Sequence, residues 1–187
     1  MEVTIYPISK ELTDDFLFFF DKVAFTDNKE WAGCYCRFYH LNDDELERQT
    51  GESNRLSAIK SIQEGKMKGY LAYLDGEPVG WCNVNDKNNY SRLVSNKELW
   101  DGAEEKICSI VCFVISPEYR RKGVASQILN VICNDYSNKG YRYIEAYPRK
   151  GELTSAQHYH GPLSMYIKTG FSLHKTFSHY DIVRKAL

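Results

Sequence analysis

Several things are missing from this 187-residue chain, and each absence narrows its function. No stretch approaches the roughly 18 consecutive apolar residues of a membrane-spanning helix, so a helical membrane protein is not expected. The opening Met1-Glu2-Val3-Thr4-Ile5-Tyr6 has neither the basic start nor the long apolar run of a secretory leader. Charge of one sign is also missing: 24 Lys and Arg stand against 25 Asp and Glu, for a net −1 and a pI near 6.5. A nucleic-acid binder would show a basic face or stripe, so neither nucleic acid nor membrane is expected as a partner. There is no internal repeat, low-complexity tract or Gly-x-x-x-x-Gly-Lys-Ser/Thr phosphate loop. The six cysteines are even in number, yet nothing places the chain in an oxidising compartment. They read as free thiols in a cytoplasmic protein.

What is present is ordinary globular material. At 43% hydrophobic and 26% charged, the chain has apolar residues for one core, and its length suits a single domain over residues 1–187. Its 14 Tyr and 9 Phe are the unusual feature; tyrosine joins an apolar ring to a polar tip and suits both core edges and pockets. Val3 to Ile8 alternates as a strand, and Leu12, Phe16, Phe19, Phe20 and Val23 follow at helical spacing. Leu56, Ile59 and Ile62 mark the buried face of a further helix ending near Gly65. Asp75-Gly76 is a two-residue hairpin signal between the strand-like runs Met67–Leu74 and Glu77–Val84. The polar stretch from Asn85 to Gly102 reads as a long loop with a helical turn near Glu98. Ile107 to Ile115 is nearly all apolar, as a strand buried on both faces should be. A helix opens at Gly123 with Val124, Ile128, Leu129, Ile132 and Tyr136 on one side, and Tyr141–Tyr147 returns as a strand. Pro162–Thr169 reads as a short helix with Gly170 as its C′ residue, and Phe171–Val183 as either a final strand pair or one bent strand. The expected class is α/β, a mixed sheet flanked by helices.

The informative stretch runs from Val114 through Ser116-Pro117-Glu118-Tyr119-Arg120-Arg121-Lys122-Gly123-Val124-Ala125 to Ser126. A buried strand enters a short basic loop, then a glycine, then a helix. The first N–H groups of a helix lack internal partners and sit at the positive end of its dipole. A diphosphate accepts several of them at once. Gly123 removes the Cβ that would block approach, Ala125 keeps the first turn narrow, and Arg120, Arg121 and Lys122 add positive charge.

At this point the sequence resembles the GNAT superfamily of N-acetyltransferases. The family pattern is Arg or Gln, two residues, Gly, one residue, then Gly or Ala, which Arg120-Arg121-Lys122-Gly123-Val124-Ala125 fits. Met165-Tyr166-Ile167-Lys168-Thr169-Gly170-Phe171 resembles the family's second segment, a tyrosine ahead of Gly-Phe. The likeness covers roughly residue 67 to the C-terminus. It implies a GNAT-like fold, acetyl-CoA as co-substrate without a metal, and direct attack by a primary amine on the thioester. It also implies that the backbone of Cys112, Phe113 and Val114 holds the pantetheine arm, that Arg120 to Ser126 hold the diphosphate, and that Tyr166 protonates the leaving thiolate. The expected acceptor is a small-molecule amine, with a protein amine as a variant, and the chain a monomer or homodimer.

The departure from the family pattern is the base. Many relatives carry a glutamate on the strand before the cradle, where this chain has Ser109, beside Cys108. Glu145, Glu104, Glu105, His158 and His160 are alternatives that composition alone does not separate. Its absence keeps open a second reading, a coenzyme A-binding sensor or interaction module without turnover. Cys34-x-Cys36 with His158-x-His160 is a poor zinc pattern by spacing, and Cys112 as a nucleophile is disfavoured because buried thiols are usually inert. Trp31, Tyr35, Phe38, Tyr39 and Trp81 are candidates for an aromatic acceptor wall, suited with scattered acids to a cationic amine. Asp43, Asp44, Glu45 and Glu47 read as a solvated helix start. Replacing Gly123→Glu should abolish acetyl-CoA binding by calorimetry, and unchanged affinity would contradict the cradle.

Overall fold

The computed structural model describes residues 1–100, 105–154 and 157–187. Seven strands form one sheet: β1 (Thr4–Pro7), β2 (Gly69–Leu74), β3 (Glu77–Asp86), β4 (Ile107–Ile115), β5 (Tyr143–Ala146), β6 (Ser172–Thr176) and β7 (Asp181–Ala186). Their spatial order is β1-β2-β3-β4-β5-β7-β6. Every neighbouring pair is antiparallel except β4 with β5. The helices are α1 (Thr13–Phe18, continued by a wider turn over Phe19–Val23), α2 (Asp43–Glu47), α3 (Gly51–Gln63), α4 (Ser91–Ser95), α5 (Val124–Asn138) and α6 (Leu163–Lys168).

α5 supplies the crossover between the parallel strands β4 and β5, the connection such a pair requires. It buries Val124, Ile128, Leu129, Ile132, Cys133 and Tyr136 against one face of the sheet. Each fully buried aliphatic side chain contributes about 1.5–3 kcal/mol, so the helix is firmly docked and its N-terminus held in place. The other face packs on Phe16, Phe19, Phe20, Tyr35 and Cys36 from the N-terminal third. Gly80 on β3 lets α5 come close: a Cβ there would lie 3.0 Å from Ile115 Cδ1 and 3.1 Å from Val124 Cγ1.

Two expectations change. Leu56 is 59% exposed, because the buried face of α3 is set by Ala58, Ser61 and Ile62 instead. α3 starts at Gly51, capped reciprocally by Thr50 and Ser53, and its Ser61 hydroxyl accepts from buried Arg37. The expected loop after residue 85 contains the end of β3, a 3-10 turn at Lys87–Asn89 and α4, with Lys87, Tyr90 and Leu93 buried. Polarity misled here, since Lys87 is buried against the Glu145 carboxylate at 2.8 Å. Residues 101–102 of that stretch lie outside the described residues. Because α5 rests against Gly80, Gly80→Val should lower stability by about 1–3 kcal/mol and weaken acetyl-CoA binding. Denaturant unfolding and calorimetry check this, and a wild-type affinity would show that the helix position is not transmitted to the cradle.

Candidate active site

The site begins with a mismatch of strand lengths. β4 pairs with β5 only from Ile107 to Ile110, so among the described residues no strand flanks Val111 to Ile115 on that side, while Cys112 to Ile115 stay paired with β3. A bulge at the same place, where Asn83 faces Cys112 and Val84 faces Ile110, leaves Val111 unpaired with β3. The open edge leads straight into the loop Ser116–Lys122 and the start of α5.

The α5 N-terminus has the features an anion needs. Gly123 sits at φ 87° as N-cap, with no side-chain cap and no acidic residue in the first turn. An added Cβ at Gly123 would meet nothing within 4 Å. The only L-residue in the loop with a left-handed backbone is Arg121, at φ 61°, and the two turns together bring the chain around before the helix begins. The three cations separate. Arg120 turns back, its Nε donating to the Ile115 carbonyl at 3.0 Å and its guanidinium pairing with Asp27. Lys122 Nζ stands 5.4 Å from the Tyr119 ring centre, and Arg121 is exposed at the cavity mouth.

A cavity of about 820 Å³ joins this helix start to the opposite face of the sheet. Its walls include Cys112, Phe113, Val114, Arg120, Arg121, Gly123, Val124, Ala125 and Ser126 of the expected set. Trp31, Phe38 and Tyr39 also line it, as the sequence suggested, whereas Tyr35 and Trp81 are buried in the layer behind. Phe20, Phe25 and Tyr159 are walls that sequence reasoning missed. Phe20 falls in a helical apolar pattern that looks like pure core, and nothing local marks Tyr159.

Tyr166 is fully buried and is not part of the cavity wall. Its hydroxyl donates to the His160 carbonyl at 2.6 Å. It lies directly behind Gly161, whose Cβ, if present, would stand 3.0 Å from it. Burial raises this phenol well above the ordinary tyrosine range, so it stays protonated and is a weaker acid than a free phenol. The loop carrying His160 also reaches the open edge: the Phe113 N–H donates to the Tyr159 carbonyl at 2.6 Å. Tyr39 hydroxyl and His160 Nε2 are 3.1 Å apart, and the Trp31 and Tyr159 rings pack at 5.3 Å.

The base candidates separate by position. Glu145 is fully buried, its carboxylate gripped by Lys87 and Arg184 and accepting from the Tyr147 hydroxyl at 3.2 Å. Ser109, opposite Glu145 in the register, shares a 2.8 Å hydrogen bond with Tyr147. This is a structural polar network, and none of its members lines the cavity. Glu105 is exposed and away from the walls, and Glu104 lies outside the described residues. His158 is exposed and lines the cavity. Among the described residues no three His, Cys, Asp or Glu side chains are grouped as a metal site requires, and no helix is long and apolar enough to cross a membrane.

A mixed sheet with a splayed central parallel pair, opening onto an uncapped helix start, defines the acyl-CoA N-acyltransferase class of fold. The pattern of the Acetyltransferase (GNAT) family matches residues 29–161, and the chain belongs to that family. Among solved structures it is similar to the PaiA N-acetyltransferase of Thermoplasma acidophilum in complex with coenzyme A, at 15% identity and TM-score 0.59 over 100% of both chains. The polyamine N-acetyltransferase of Drosophila melanogaster aligns at 8% identity and TM-score 0.56, over 100% of this chain and 99% of that one. The NatC complex bound to Gag peptide and coenzyme A aligns at 12% identity and TM-score 0.56, over 100% and 99%. No curated protein matches.

The buried loop has a consequence for stability. Burial, reinforced by the nearby Arg149 charge, lowers the His160 pKa to about 3, against the ordinary 6.5. The folded chain therefore refuses a proton that the unfolded chain accepts as pH falls below 6.5, so this contribution is intact above 6.5 and is lost progressively toward pH 3. The loss is about 1 kcal/mol at pH 5.5. Thermal melts between pH 7 and 5 should fall more steeply for the wild type than for His160→Gln; equal slopes would contradict the buried neutral imidazole.

Proposed function

We propose that this chain transfers an acetyl group from acetyl-CoA directly to the primary amine of a small molecule. The observation that supports it most is the unpaired edge of β4, which joins the α5 N-terminus to an aromatic-walled cavity. The diphosphate lies on the N–H groups of Val124, Ala125 and Ser126 above Gly123, with Arg121 and Lys122 supplying charge. Arg120 anchors the loop through Asp27. The pantetheine arm runs along Cys112 to Val114 as an added strand would.

The chemistry follows from groups along that path. The amine lone pair attacks the thioester carbonyl carbon, and the oxyanion accepts from the Phe113 N–H in place of the Tyr159 carbonyl. The C–S bond then breaks, and the sulfur takes the Tyr166 proton as that hydroxyl leaves the His160 carbonyl. The ammonium proton passes to water or to His158. Cys112 is no nucleophile in this scheme: a hydrogen bond with Cys36, together with burial, pushes its thiol well above the ordinary range. The enclosing aromatic walls favour a small acceptor over a protein chain.

A second reading, a coenzyme A-binding module without turnover, is favoured by one observation: the Phe113 N–H and the Tyr166 hydroxyl are both already engaged by the loop at 157–161. Thiol release from acetyl-CoA across an amine panel separates the two. Release that depends on a particular amine supports the enzyme; tight cofactor binding without release supports the module. In the enzyme, Tyr166→Phe should lower turnover about ten- to ten-thousand-fold with little change in acetyl-CoA affinity, and a wild-type rate would remove Tyr166 from the mechanism.

A further inference from the structure

The acceptor side of the cavity is built from Phe20, Phe25, Trp31, Phe38, Tyr39 and Tyr159. Among the described residues not one Asp or Glu lines the cavity, and Arg120 and Arg121 belong to the loop at its α5 end. The surroundings add positive charge. Arg149 hydrogen-bonds the Tyr159 side chain, and its charge reaches both Tyr39 and His160. The Arg92 guanidinium lies 4.4 Å from the centre of the Phe38 ring, so that ring face already holds a cation. Trp31 is packed on Tyr159. The acids near these rings are engaged elsewhere or face solvent: Asp27 pairs with Arg120, Asp21 with Tyr35 and Arg55, and Asp43 with Arg92, while Glu30 is exposed and off the cavity wall.

Resting on the acetyl-transfer reading, we infer that the acceptor is a monoamine with an aromatic, otherwise uncharged body, and that polyamines are rejected. Its single amine must be neutral to attack, so it can enter a site without a carboxylate. A diamine or polyamine would bring a second ammonium into an apolar space with no Asp or Glu among its described lining residues to replace its lost water. An aromatic body instead meets ring edges and faces at the distances that favour aromatic contact. The scattered acids expected from sequence beside these rings are not among the described walls, which reverses the expected preference for a cationic acceptor.

The test compares 2-phenylethylamine with cadaverine, an acyclic diamine, and with spermidine. Thiol release measured against acetyl-CoA should give a kcat/KM for 2-phenylethylamine at least about tenfold above either polyamine. A binding measurement stands apart from turnover: calorimetry on the protein saturated with coenzyme A should show 2-phenylethylamine binding at least about tenfold tighter than cadaverine. That selectivity without any thiol release would support the acceptor class while overturning the transfer reading. Equal or tighter binding of cadaverine, or no binding of any of the three, overturns the acceptor class. Two variants sharpen it. Cys34→Asp places a carboxylate in the wall and should narrow the preference about threefold or more in favour of cadaverine, once a melting curve shows the variant folded. Trp31→Ala should weaken 2-phenylethylamine about tenfold with acetyl-CoA affinity unchanged; unchanged amine affinity in both variants would also overturn the proposal.

Discussion

Five residues of a central strand without a neighbour on one side constrain the rest of this molecule. Backbone N–H and C=O groups buried away from water must find partners. From Val111 to Ile115 the β5 side offers none, because β5 ends its pairing at Ala146. Elsewhere in the sheet such an edge would be a liability. Here it lies inside the fold, between the α5 layer and the aromatic layer, and forms one wall of the cavity. Everything assigned to the site is arranged along it.

The edge is held open from two directions. On one side α5 is drawn onto the sheet by a continuous apolar face, with Gly80 permitting the close approach. On the other, the N-terminal segment is tied to the cradle loop by the Asp27–Arg120 pair, spanning 93 residues of sequence. That pair uses up a charge that would otherwise face the phosphates. It joins the segment bearing the aromatic walls to the loop ahead of α5, so the two ends of the cavity are tied together. The loop at 157–161 then places the Tyr159 carbonyl on Phe113, satisfying an edge donor with a group a substrate carbonyl would replace.

The buried polar groups follow a similar division of labour. Lys87 and Arg184 both pair with the Glu145 carboxylate beneath the paired part of β4 and β5, with Tyr147 and Ser109 completing the network. Breaking such a buried set strands a charge at considerable cost, so these residues serve the fold at the point where the strands still pair. Their carboxylate does not reach the cavity, whose described titratable walls are Cys34, Cys36, Cys112, Tyr39, Tyr119, Tyr159, Arg120, Arg121, Lys168 and the exposed imidazole of His158.

The sequence alone determined the elements with strong local signatures: the Asp75-Gly76 hairpin, the apolar run Ile107–Ile115 with its exact span, and α5 opening at Gly123. It also marked the left-handed turn at Gly123 ahead of α5, because a glycine before an amphipathic helix is a local requirement readable from neighbours in the chain. Tertiary structure alone decided the rest, because those features depend on residues far apart in sequence. Leu56 and Lys87 took the opposite burial from their polarity once α3 and the Glu145 network were packed. Arg120 pairs with Asp27, and Tyr166 sits behind Gly161 rather than on the wall. The cavity lining, acid-free among the described residues, has no local signature at all: charge in a cavity is the sum over segments that only folding brings together.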